Sequence, residues 1–342
     1  MSKFFVYVAG YDNTVSCFGL DMATGMLQPI STSDGGKNPT YMAWHPNHKF
    51  MYAANEIGAG RVSAFSINPK DGALTKINDA SSAGDGPCHV SVHPSGKWVF
   101  AANYGSGTIG VLPVKPDGSV GEPLEKIKPG LHAHLMISDP SGHFVFVPCL
   151  GSDYVAQYIF DDATGQLKPN TPATAPTAKG AGPRHLVVHP SGRFAYLIDE
   201  QGSTVDSFLY DSASGTLSAP ETLSTLPAGT NPKGNSTAHI LTSPSGHFVY
   251  GSNRGHDSIV IYSVNPDTGR LSLVGEETGG NEIKVPRDFT LDPSGKFMLV
   301  ANQNANTVIV FRCDAAHGTL EKLSTIKVPP KPAFVGVMSV PE

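Results

Sequence analysis

One phrase, written six times, constrains this chain more than any other feature. A proline-centred turn, usually Pro-Ser-Gly, falls at Pro46, Pro94, Pro140, Pro190, Pro244 and Pro293. The spacings are 48, 46, 50, 54 and 49 residues, and a recurring period of this length marks a repeat architecture. Each turn sits between two short apolar runs. Those before it read YMAWH, HVSVH, HLMISD, HLVVH, HILTS and DFTLD; those after it read FMYAAN, WVFAAN, FVFVPC, FAYLID, FVYGSN and FMLVAN.

Two further alternating runs complete every period. The third is VSAFSI, TIGVLPV, YVAQYIF, TVDSFLY, SIVIYSV and TVIVFRC. A turn ending in Gly leads to the fourth: ALTKI, SVGEPL, QLKPN, TLSAP, RLSLV and TLEKL. Short runs rich in β-branched and aromatic residues, bounded by Gly, Pro and Asp, are strands. Four strands per period of about 49 residues predict a β-propeller blade. The ends supply one more blade: KFFVYVAG, TVSCFGL and MLQPI at the start, and PAFVGVMSV (332–340) as the missing innermost strand. The expectation is an all-β, seven-bladed propeller of four antiparallel strands per blade. It forms a single domain over 1–342, with one blade closed by both termini so that the ring leaves no unpaired edge.

Composition agrees and excludes some partners. The 37 glycines and 28 prolines supply dense turns, and 39% hydrophobic residues suffice for a core. Net charge is −5 with no Lys/Arg run, which argues against nucleic acid. No apolar stretch approaches the roughly 18 residues of a membrane span, and the N-terminus lacks a signal-peptide pattern. The four cysteines, Cys17, Cys88, Cys149 and Cys313, form no CxxC pair. Free thiols and a cytoplasmic location are expected.

In an up-and-down blade the tight repeated turns share one face. The longer stretches, 168–183 and 226–238, are expected as irregular loops on the other face, where variable loops carry function. The same face receives the starts of the first strands: Tyr41, His89, His134, Arg184-His185, His239 and Arg287-Asp288. It also receives the second-strand ends, Asn55-Glu56, Asn103-Tyr104, Asp199-Glu200, Asn253-Arg254 and Asn302-Gln303. Arg184 and Glu200 are equidistant from Gly192, so hairpin pairing places them within side-chain reach. The recurring asparagines read as backbone ties, and His45, His93 and His189 as turn-binding groups. His143 and His247 read as solvated. Three arginines converging on one mouth repel unless anions compensate. Glu200 and Asp288 supply part of that, and an anionic ligand the rest.

The segments GAGPRHLVVHPSGRFAYLIDE (180–200), SPSGHFVYGSNR (243–254) and VPRDFTLDPSGKF (285–297), together with the blade pattern, resemble the lactonase family of seven-bladed propellers. That family includes bacterial 6-phosphogluconolactonases and fungal 3-carboxy-cis,cis-muconate lactonizing enzymes. The resemblance spans essentially the whole chain. It places the proposed active-site residues on His134, Arg184, Glu200 and Arg254, with His132 a competitor for the His134 role. The extra residue between His134 and its turn suggests a bulge that re-aims the ring.

The resemblance implies a cytoplasmic carboxylic ester hydrolase of carbohydrate metabolism, in the pentose phosphate pathway. Its expected substrate is an anionic sugar lactone, 6-phosphoglucono-δ-lactone leading. His134 or Glu200 would act as general base, Arg184 would stabilise the oxyanion, and Arg254 would bind an anionic group. His185, His239, Arg287 and Asp288 are further candidate substrate contacts. No metal or other cofactor is implied, and no macromolecular partner. One alternative is an intramolecular lyase closing a carboxymuconate. The other is a non-catalytic propeller that binds a protein, against which the mouth offers no apolar strip.

Overall fold

The computed structural model describes residues 3–340, in which 28 strands form seven four-stranded antiparallel sheets. Blade 1 runs from Pro39–Trp44 to Leu74–Ser81, blade 2 from Pro87–Val92 to Lys126–Ile127, and blade 3 from Ile137–Ser138 to Gln166–Pro176. Blade 4 runs from Pro183–Val188 to Thr216–Ser224, blade 5 from Ser236–Thr242 to Leu271–Glu277, and blade 6 from Pro286–Leu291 to Leu320–Lys327. Blade 7 joins the ends: Pro332–Val340 pairs with Lys3–Gly10, followed by Thr14–Leu20 and Leu27–Asp34. At this closure Gly10 lies so near its partner that a Cβ there would sit 2.1 Å from the Lys331 carbonyl oxygen.

Burial follows the blades rather than a single centre. Seven apolar clusters occur, one at each blade-to-blade interface, because every twisted sheet presents an apolar face to both neighbours. Side chains also latch blades in a repeated way. Tyr7, Tyr52, Tyr196 and Tyr250, all on second strands, donate to the carbonyls of Gly72, Gly118, Gly269 and Gly318 in the next blade. His45, His93 and His189 reach the Gly96, Gly142 and Gly246 carbonyls of the next blade's turn. They are turn-binding groups, as expected, but the turn they hold across the interface belongs to the neighbour. His143 and His247 are exposed. Tyr196→Phe leaves the buried Gly269 carbonyl without its donor and should cost about 1–3 kcal/mol, read as a lower urea midpoint at unchanged slope.

Three elements depart from the sequence expectation. SVGEPL does not form blade 2's outer strand; only a Val114–Val120 bridge forms there, and the strand is Lys126–Ile127. Blade 3's inner strand shrinks to Ile137–Ser138, so the HLM segment leaves the ladder. The stretch expected as a loop from residue 168 stays in strand to Pro176, across a register break between Ala156 and Tyr158. Its outward residues are polar or proline, which hides a strand from hydrophobic patterning. Asn170 ties it to the Ser214 and Gly215 carbonyls of the next blade.

Candidate active site at the channel mouth

The inner strands start at one end of the central channel, and four of them slip register at the same level. The residue passed over is Thr40, Cys88, Arg184 or Arg287. A bulge re-aims a side chain and bends its strand. Two of the three mouth arginines therefore stand on bulges, which equidistance from the hairpin turn does not reveal. His134 is positioned differently: its N–H donates to the Pro148 carbonyl at 3.0 Å, outside the regular ladder.

Second strands bring the partners. Asn55, Asn103 and Asn253 donate side-chain amides to the carbonyls of Gly35, Ser82 and Thr225, confirming their role as backbone ties. Asp199 holds the same place but has no amide to donate. It is fully buried, accepts from the Thr204 hydroxyl at 2.8 Å, and its Oδ1 has no partner. Burial and the neighbouring Asp206 carboxylate raise its pKa. The acid that reaches the mouth is the next residue, Glu200.

Glu200 bridges two cations: its Oε2 lies 2.8 Å from Arg184 Nε and 2.9 Å from Arg254 Nη2. Arg184, 2% exposed, also donates to the Ala238 carbonyl, and Arg254 donates to the Thr237 carbonyl at 2.6 Å. Burial alone would raise the Glu200 carboxyl, but Arg184 and Arg254 outweigh it and hold it below its ordinary value. Arg287 is less engaged, 4.0 Å from Glu56 and 5.5 Å above the Tyr11 ring. Tyr11 in turn donates to Glu56 at 3.0 Å. Three guanidinium groups thus face two carboxylates at the mouth, leaving a surplus positive charge suited to an anion.

The two histidines of the LHAHL segment differ. His132, at φ 53°, stacks on Tyr104 at 4.3 Å and binds that residue's carbonyl through Nδ1. His134 is buried, and its Nδ1 has no hydrogen-bond partner among the described residues. Burial, then the fields of Arg184 and Arg287, hold its imidazole well below its ordinary pKa, so it is neutral near pH 7.

Beneath this layer lies another. His185 packs against His134 at 5.2 Å between ring centroids, and its Nδ1 is 2.8 Å from His239 Nδ1. His89 and Tyr41 continue the stack, and Asp288 lies 3.5 Å from His239. The structure therefore divides the eight sequence candidates. His134, Arg184, Glu200, Arg254 and Arg287 meet at the mouth, while His185, His239 and Asp288 lie below, each under a tenth exposed. Tyr11 is the mouth residue that sequence reasoning passed over. A signal existed: it follows Gly10 at the end of blade 7's second strand, the place of Glu56, Tyr104 and Glu200 in other blades.

The buried imidazoles carry a pH signature. His89 and His239 are depressed to about 3 by burial and then by Arg184. A group whose folded pKa falls below the unfolded 6.5 lends stability in full above pH 6.5. That stability drains away as pH falls toward 3, because the unfolded state binds the proton first. His89→Gln should make the stability-versus-pH slope between those limits shallower by about 1.4 kcal/mol per pH unit, measured by urea unfolding at stepped pH.

Among the described residues, no group of three or more His, Cys, Asp or Glu is arranged to hold a metal ion. No helix is long and apolar enough to cross a membrane.

Known proteins resemble this chain over nearly its full length. The family profile described as "Lactonase, 7-bladed beta-propeller" matches residues 5–337. A 6-phosphogluconolactonase from Pectobacterium carotovorum is 33% identical over 318 residues, 93% of each chain. The 6-phosphogluconolactonase of Bacillus subtilis is 32% identical over 347 residues, covering 96% of this chain and 97% of its own. Among solved structures, the periplasmic gluconolactonase PpgL of Pseudomonas aeruginosa superposes with a TM-score of 0.91 at 30% identity, covering 99% of this chain and 100% of its own.

Proposed function

Because this chain belongs to the lactonase family of seven-bladed β-propellers, we propose that its mouth hydrolyses an anionic sugar lactone, with 6-phosphoglucono-δ-lactone as the leading substrate. The observation that carries this reading is the excess of guanidinium over carboxylate beside one neutral, buried histidine. A phosphate pairs with Arg287, the arginine with fewest protein partners, and with Arg254 at the other side of the mouth.

Glu200 is poorly suited as the base, since two arginines already share its charge and stabilise the carboxylate. His134 takes that role. It accepts a proton from water as the water oxygen bonds to the lactone carbonyl carbon, and Arg184 stabilises the tetrahedral oxyanion. Collapse breaks the ring C–O bond, and the departing oxygen receives the proton from His134. The product is the hydroxy acid, which then ionises in solvent. The phosphate helps in a second way: it offsets the arginine fields that depress His134, and so raises its basicity when substrate is bound.

The test is acid release from fresh 6-phosphoglucono-δ-lactone, reported by 6-phosphogluconate dehydrogenase, with Arg184→Ala/Glu200→Ala as the background control because δ-lactones also open unaided. Acceleration by wild type alone supports the reading; equal rates sink it. A cytoplasmic location belongs to the same proposal, and fractionation of the source cells against a periplasmic marker decides it.

A further inference from the structure

The mouth chemistry occupies only half of the channel. Below the stack of Tyr41, His89, His185 and His239, a cavity of about 320 Å³ runs toward the end of the channel that carries the Pro-Ser-Gly turns. Its walls include Trp44, Val92, Ile137, Leu241 and Phe334. A second lobe of about 430 Å³ shares Val92, Ile137 and Leu241 and extends to Pro94 and Pro140 of those turns. Lactone hydrolysis as derived above makes no use of this space.

We propose that this lower channel is a second binding site, for a small uncharged aromatic ring bearing a hydroxyl donor, a phenol in chemical class. Three observations define that ligand. The lining is mainly apolar and aromatic, which suits a flat ring, and an apolar cavity of about 150 Å³ already holds benzene. The inner end carries polar atoms without partners: Asp288 Oδ1 and His89 Nδ1, on side chains each 3% exposed. Asp288 Oδ1 asks for a donor, since its other oxygen already accepts from the Val335 N–H at 2.9 Å. Leaving such an atom unpaired in a dry pocket is costly, and a hydroxyl group would satisfy it.

Charge excludes the alternatives. No Lys or Arg lines either lobe, so an anion has no partner there. A cation would find Asp288, but Arg184 and Arg287 act on that same carboxylate from behind. A neutral donor is the ligand this balance leaves. The His and Tyr rings between the halves are within 4.4 to 5.7 Å of one another by centroid, so the layer keeps a lower ligand apart from the mouth.

The probe is 4-fluorophenol, followed by fluorine NMR against the intact protein. Saturable broadening with a Kd below about 1 mM is expected in wild type, and at least tenfold weaker binding in Val92→Phe, which fills the shared wall. Ile137→Trp, from another blade, should act alike, and the far-UV spectrum and melting of both variants confirm their fold. Non-saturating broadening, or equal affinity in both folded variants, overturns the proposal. So does competition between 4-fluorophenol and 6-phosphogluconate, since that would place the phenol at the mouth. Because binding is read without turnover, failure here leaves the lactonase reading untouched.

Discussion

Arg184→Ala will lower kcat/KM for the sugar lactone by about 10²–10³, the range found when one oxyanion donor is removed from a pre-arranged site. Here the loss has two parts. The guanidinium that would meet the developing oxyanion is gone, and Glu200 loses one of its two cationic partners. Arg184 is 2% exposed and also holds the Ala238 carbonyl, so water cannot substitute for it in the same geometry. Lysine will not rescue, because it cannot engage Glu200 and a carbonyl with a planar fork. The double variant with Glu200→Ala should fall little further than the single, since the two residues act as one unit. Strictly multiplicative losses would show instead that they contribute independently. A single variant within threefold of wild type would remove Arg184 from the chemistry.

Ending the chain at Lys331 should abolish cooperative folding. The lost segment pairs with Lys3–Gly10 along its whole length and buries Phe334, Val335, Val337 and Met338. Truncating just one such Phe or Met side chain to Ala typically costs 2–5 kcal/mol, while a whole domain is stable by only about 5–15 kcal/mol. The deletion removes four and also exposes the edge of Lys3–Gly10 at the centre of the ring, a template for aggregation. Circular dichroism melting is expected to show no sigmoidal transition. A cooperative melt within a few degrees of wild type would mean that six blades close without the seventh's inner strand.

Much of this was legible before any coordinates. Period and turn chemistry are local properties, so Pro-Ser-Gly at fixed spacing announced the blades, and the leftover PAFVGVMSV announced how the ring closes. The strands misread were those with weak local signals. The outer edge of blade 3 through Pro176 is polar and proline-bearing, and blade 2 ends in a two-residue strand. At the site, the positions of Glu200 and Arg254 followed from counting along hairpins. The register slips at Arg184 and Arg287 did not, because a bulge depends on what the strand meets across the channel.

By itself, then, the sequence determined the architecture, the face that carries the arginines, and the family to which the chain belongs. Only the tertiary structure decided which candidates share a layer. His134 and His132 are two residues apart, yet one is stacked on Tyr104 and the other is buried against His185. His185 adjoins Arg184 in the chain but lies beneath it in the channel, paired with a histidine 54 residues away. The reason is physical: repeat and turn preferences act over a few neighbouring residues. Depth, charge pairing and the resulting pKa values arise from side chains that seven separate blades bring to one axis.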